Sequence, residues 1–253
     1  MENDQLSKEV IEWLETQGYP LEMLLAKTIS SKTSDIIQPY YYTDPETNVL
    51  RETDLVARFT DDIGLLQLLF VFECKKSKKP WIIFSSDTLA INRINSFAFI
   101  NETTRSVLIE HISELIELSW FKKPERLGYS VTQAFTTGDD QCYKALMSAT
   151  KGAFATYHEQ SSGIPFLFVF PVILFDGNLF ESYIDSTGEI KAIKIETGMV
   201  HSNIHISGSS SPTVKIITRS TIYNLVNEIE SMINFFKKIL DKELKHEKGK
   251  LLS

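Results

Sequence analysis

The sequence predicts a single α/β domain with a central mixed β-sheet flanked by helices. Three observations lead there. Apolar residues recur at helical spacing near both ends and in the middle of the chain. Between those segments lie short apolar runs bounded by turn residues, the pattern of strands. One of them, 68–72, is apolar at every position, which marks a strand buried on both faces. Helices before, between and after strands argue for one mixed domain over residues 1–253. A chain of that length buries a core without covalent staples.

Taken in order, Ser7 is a cap for a first helix that carries Val10, Trp13 and Leu14 on one face and stops at Gly18. Pro20 suits the first turn of a second helix, through about Ile29. Strands are predicted over 36–42, 53–59, 65–73 and 81–84, with residues 44–48 as a turn. Helices follow over about 103–118 and 140–158. A long apolar strand, 166–175, turns at Asp176, Gly177 and Asn178 into 179–184. Further strands are predicted at 190–195, 201–206 and 213–217, with a mobile Ser-rich loop at 207–212. The last helix, 221–245, carries Ile222, Leu225, Val226, Ile229, Ile233, Phe236 and Leu240 on one stripe.

Composition narrows the function classes. The N-terminal residues are polar and acidic, without the apolar stretch of a secretory signal. The apolar segment 164–175 is too short to span a bilayer and contains two prolines, so no membrane role is expected. Cys74 and Cys142 are the only cysteines, which gives neither a disulfide framework nor a four-cysteine zinc site and suits a reducing cytoplasm. The net charge of -7 counts mildly against a nucleic-acid binder, whose affinity comes from Lys and Arg replacing counterions. A locally positive cleft can still exist within an acidic protein.

The chemistry concentrates at residues 54–75. Glu73 follows the buried run directly, and a carboxylate there is costly unless a cation or hydrogen bonds compensate it. Glu73 and Lys75 share one face, because side chains on a strand alternate. Asp54 sits likewise beside the apolar Leu55, Val56 and Ala57. A hairpin through 61–64 sets Asp54 across from Glu73. Two carboxylates from adjacent strands suit Mg2+ or Mn2+, and Lys75 beside them can orient water or stabilise developing negative charge. The competing reading is a strand-end ion pair of purely structural value.

This Asp followed by Glu-x-Lys, at Asp54 and at Glu73, Cys74 and Lys75, resembles the PD-(D/E)xK nuclease superfamily. Glu22 fits that family's helical glutamate, since it shares a stripe with Leu25, Ala26 and Ile29. The likeness covers about 18–84, so residues 1–84 hold the recognisable core. Thr53 stands where the family's name places a proline. The resemblance implies a restriction-endonuclease-like fold and metal-dependent phosphodiester hydrolysis, with DNA favoured over RNA, in defence or repair. It implies Glu22, Asp54, Glu73 and Lys75 as catalytic residues, and Asp54, Glu73 and the Cys74 backbone carbonyl as metal ligands. A non-catalytic or partner-activated protein keeping the nuclease fold is the alternative. A homodimer or an activating partner is left open.

Other signals are weaker. Lys76, Lys78 and Lys79 form a basic patch beside the acids and are read as nucleic-acid contacts. Lys144 and Lys151 share a helix face and either line a cleft or face water. Asp140 is a helix cap rather than a polymerase-type acid. His201 and His205 lack the further ligands a zinc site needs. No Gly-rich phosphate loop or Gly-x-Ser-x-Gly elbow occurs.

Overall fold

The computed structural model describes residues 2–33, 35–89, 96–122, 124–138, 140–201, 204–207, 209–210 and 212–251. Two helices lead, α1 (Glu2–Thr16) and α2 (Tyr19–Ile29). Short strands follow: β1 (Ile36–Ile37), β2 (Tyr40–Thr43), β3 (Leu50–Thr53), β4 (Leu55–Thr60), β5 (Leu66–Lys76), β6 (Trp81–Ser86) and β7 (Phe99–Ile100). Helices α3 (Glu102–Glu110) and α4 (Ile112–Leu115) lead to β8 (Leu127–Gln133) and the long α5 (Gln141–Gln160). Then come β9 (Phe166–Asp176), β10 (Leu179–Ile184), β11 (Ile190–Ile195), β12 (Thr197–Val200), β13 (His205–Ile206), β14 (Ser209–Ser210) and β15 (Val214–Thr218). Helices α6 (Ile222–Ile239) and α7 (Asp241–Leu251) close the described chain.

Among the described residues one mixed sheet runs β1-β4-β5-β9-β15-β12-β8-β6-β10-β11, with β7 also on β9. Its axis is the parallel pair β5 and β9, in register from Leu66↔Phe166 to Lys76↔Asp176. Both strands are buried on both faces over most of their length. Phe70 and Phe170 stack across the pair with ring centroids 4.8 Å apart.

Pro171 lies in the middle of β9, where a missing N–H would ordinarily break a ladder. Phe166 N–H points to the β5 side, bonding Leu65 O, and Leu167 N–H to the other edge, bonding Thr104 Oγ1. By alternation the absent N–H of Pro171 faces that other edge. There β7 pairs with Phe168 and Val169, and β15 begins at Val172, so Pro171 falls in the gap between them.

The sheet separates two layers. On one side α2 and α6 cover Leu66, Leu68, Phe70 and Phe72. All seven apolar residues of the α6 stripe are buried, as far as Leu240. On the other side α5 covers Val71, Val169, Ile173 and Ile216. The β2–β3 hairpin is a separate small sheet that leans on α5. Its close approach depends on Gly152, where a Cβ would lie 3.3 Å from Val71 and 3.5 Å from both Thr53 and Tyr42. No helix among the described residues is long and apolar enough to cross a membrane.

Several elements depart from the sequence reading. Helix α1 begins at Glu2, so Ser7 lies inside it, and Val10 and Trp13 are exposed rather than packed. The strand predicted at 36–42 divides into β1 and β2, and the one at 53–59 is interrupted at Asp54. The helix over 103–118 breaks at His111, and the one over 221–245 ends at Leu240 before α7 resumes. Of the strand predicted at 201–206, His205–Ile206 is a described strand, which pairs with Ser209–Ser210; Ser202 and Asn203 of that segment, and Gly208 and Ser211 of the predicted loop, lie outside the described residues. Strands β7, β8, β12 and β14 lie where the sequence predicts none, and the predicted strand 53–59 reaches β3 only at Thr53.

Gly152→Leu should force the hairpin off α5 and lower stability by about 1–3 kcal/mol, as overpacking does. Chemical denaturation with the wild type alongside measures this, and unchanged stability would show that the hairpin is not held by this contact.

Candidate active site

The site forms where β5 emerges from the core. Glu73 is 6% exposed, and the Lys75 side chain is 33% exposed. The two lie on one face, with Lys75 Nζ 2.5 Å from Glu73 Oε1. The second Glu73 oxygen accepts a hydrogen bond from Ser148 on α5, at 2.9 Å. Glu73 is therefore held from its own strand and from the helix above it.

Asp54 occupies the break between β3 and β4. Strand β4 pairs antiparallel with β5 from Thr60↔Gln67 to Leu55↔Phe72, and one further step of that register sets Asp54 against Glu73. The ladder ends there because side chains take over the β5 backbone. Thr53 Oγ1 donates to Phe72 O at 3.0 Å, and Asp54 Oδ2 accepts the Cys74 N–H at 2.5 Å. The carboxylate thus stands in for a strand carbonyl, which fixes its position.

Glu22 approaches from α2, half-buried, with the Gln38 side chain bonded to it. Burial and then the Asp54 charge raise its pKa. Burial also raises the Asp54 carboxyl, outweighing the Cys74 N–H and Lys75. Glu73 is raised in the same way, by burial and by Asp54 against the pull of Lys75. Burial alone would lower Lys75, but Glu73 and Asp54 outweigh it and hold the ammonium protonated. One lysine thus faces three carboxylates that burial and mutual repulsion disfavour as anions. Such an arrangement gains from a bound cation.

Cys74 points the other way, into the core beneath α2 and α6. Burial pushes its thiol well up, so the residue can offer the site only its backbone. Among the described residues, no three His, Cys, Asp or Glu side chains form a metal-holding group. The donor set is two carboxylates, Asp54 and Glu73, with Glu22 beside them. Hard oxygen donors in that number fit Mg2+ or Mn2+, which keep several waters.

Glu73 and Lys75 open into a cleft of about 760 Å³ between α5 and the β2–β3 hairpin. Helix α5 contributes Lys144, Ser148 and Lys151 at helical spacing, and the hairpin contributes Tyr42, Asp44 and Arg51. Asp44 ties the two walls together. It lies 3.1 Å from Lys151 Nζ and 3.5 Å from Arg51 Nε, and accepts the N–H groups of Glu46 and Thr47. Burial works against its charge, but those hydrogen bonds win and lower its pKa. Burial, Glu73 and Asp44 push the Tyr42 phenol up to about 12, so it is a donor at neutral pH.

The structure therefore brings Asp54, Glu73 and Lys75 together, with Glu22 beside them. Of these, Glu73 and Lys75 line the cleft, whereas Asp54 and Glu22 do not, and neither do Lys76, Lys78 or Lys79. Lys76 turns back to the Glu15 carbonyl at the end of α1, and Lys79 reaches the Phe135 carbonyl. Sequence reasoning missed Asp44, Arg51 and Ser148. Ser148 was findable, since it lies on the same helical face as Lys144 and Lys151. No family model, curated protein or solved structure matches this chain.

The electrostatics give a testable sign. A carboxyl whose pKa is raised on folding destabilises the fold while ionised, and that cost fades as the pH falls through its folded pKa. In chelated buffer at neutral pH, Asp54→Asn should melt a few degrees above the wild type while still accepting the Cys74 N–H. The gain should vanish as the pH approaches the ordinary carboxylate value of about 4. A melting-temperature series against pH measures it; a lower melting point at neutral pH would mean that Asp54 is a net stabilising anion.

Proposed function

We propose that this protein is a restriction-endonuclease-like, metal-dependent nuclease that hydrolyses phosphodiester bonds, with DNA as the favoured substrate. The observation that carries this reading is the facing pair Asp54 and Glu73, with the Lys75 ammonium on Glu73 and with Glu73 and Lys75 lining an open cleft. A surface ion pair does not require a second acid across the ladder or a third at its flank.

Asp54 and Glu73 would hold Mg2+ or Mn2+, and the Cys74 carbonyl joins them by analogy with the family. When bound, such an ion supplies Lewis-acid polarisation of a phosphoryl oxygen and a lowered pKa for water. Lys75 sets its ammonium against Glu73. It orients the attacking water and offsets negative charge developing on phosphorus. Glu22 orders water at the flank of the acidic pair. Lys144, Lys151 and Arg51 face the space where the substrate backbone would run, and Lys76, Lys78 and Lys79 lie outside it.

A partner-activated nuclease is a second reading, and one observation favours it. Leu6, Val10 and Trp13 form an exposed apolar stripe along α1, and contiguous exposed apolar surface marks interaction sites.

Plasmid, linear duplex, single-stranded DNA and RNA incubated with Mg2+, Mn2+ or EDTA test the proposal. Cleavage should require metal. Asp54→Ala, Glu73→Ala and Lys75→Ala should each reduce it by about 100-fold or more, with the fold retained. Glu22→Gln should raise the metal concentration required by roughly 10- to 100-fold. Full activity in Glu73→Ala would place the chemistry elsewhere.

A further inference from the structure

The loop between β8 and α5 carries a feature that packing does not explain. Phe135 is 86% exposed and sits at φ 57. A phenylalanine in water forgoes the gain of burial, and a bulky residue in the left-handed region is strained. Strain of this kind persists only where the surroundings impose it, and it collects at binding sites.

The surroundings here do impose it. The Lys79 ammonium donates to Phe135 O at 2.9 Å, and Ala134 N–H donates to Pro80 O at 2.9 Å. The Gln133 amide donates to Ser77 Oγ at 3.0 Å. The ring is thus presented from a loop fastened to the β5–β6 connection, which leaves β5 after Lys76, one residue beyond Lys75. On its far side the same loop ends at Asp140, which caps α5 by accepting the N–H groups of Cys142 and Tyr143. Tyr143 is 56% exposed and forms part of the cleft wall next to Lys144.

Two open aromatic rings therefore stand near the two ends of the connection from β8 to α5, and each end is held by hydrogen bonds. One stands in the cleft beside Lys144, the other beside the loop that carries Lys78 and Lys79. Resting on the nuclease reading above, we propose that the substrate is single-stranded nucleic acid, whose bases stack on Tyr143 and Phe135 as the strand leaves the cleft. Alternating rings and cations suit a single strand, since every unpaired base offers a face to stack and every phosphate a charge to neutralise. A duplex offers neither ring a partner, because its base faces are already stacked and only edges and phosphates are presented. Charge points the same way. Arg51 and Lys151 share Asp44, which leaves the cleft little of the uncompensated positive charge on which duplex binding draws more heavily than single-strand binding.

Fluorescent single-stranded and duplex oligonucleotides of equal length test this, by binding in EDTA and by cleavage in Mg2+. The wild type should bind and cleave the single strand in preference to the duplex. Phe135→Ala and Tyr143→Ala should each weaken single-strand binding by about 5- to 150-fold, the range of one lost base stack. Phe135→Trp should restore it. Both rings are exposed, so melting temperatures should stay at the wild-type value, which separates lost stacking from lost fold. Equal cleavage of duplex and single strand, unaffected by either alanine, would overturn the stacking proposal and leave the nuclease reading standing. No cleavage of any nucleic acid with either metal would end the nuclease reading and this one with it.

Discussion

The parallel pairing of β5 with β9 is the constraint on which the other parts of the molecule depend. Both strands are apolar on both faces, so each needs a neighbour on either edge and a layer above and below. That demand places α2 and α6 on one side and α5 on the other. It also decides where β5 itself can carry polar side chains, which is towards its two ends, at Gln67 and from Glu73 onward. Glu73 and Lys75 lie at that exit, with Ser148 of α5 above them.

The acidic site follows from how the next strand ends. A ladder that continued past Leu55 would pair Asp54 through its backbone and leave its side chain free to turn. Instead the Asp54 carboxylate takes the Cys74 N–H, and Thr53 takes the Phe72 carbonyl. Two side chains finish the ladder and bring an acid against Glu73. The repulsion that results is tolerated because Lys75 and fixed hydrogen bonds offset part of it.

The cleft and the acids are separate constructions. Its walls meet through Asp44, a buried carboxylate that holds Lys151 and Arg51 while its own turn supplies two N–H groups. This keeps cations at the cleft rim without raising the charge of the protein as a whole. Net charge therefore says little about what the cleft attracts, since the field inside it is set by a few groups near low-dielectric walls.

The amino-acid sequence by itself determined the short-range features. Strand alternation put Glu73 and Lys75 on one side, helical spacing put the α6 stripe inside, and Asp140 was readable as a cap. These depend on neighbours within a few residues, which periodicity reports. The central sheet with flanking helices was legible for the same reason. Strand β8 was missed although Leu127, Tyr129 and Val131 alternate along it, because Gly128 and Ser130 between them are turn-type residues; its place between β6 and β12 belongs to the tertiary structure. Tertiary structure alone decided that α1 leaves Val10 and Trp13 exposed, since no other surface among the described residues covers that stripe. It alone decided the grip of Asp44 on Lys151 across 107 positions, and the fastening of Phe135 by Lys79 across 56. Those contacts depend on the path of the backbone through the whole fold, and no local pattern of residues encodes that path.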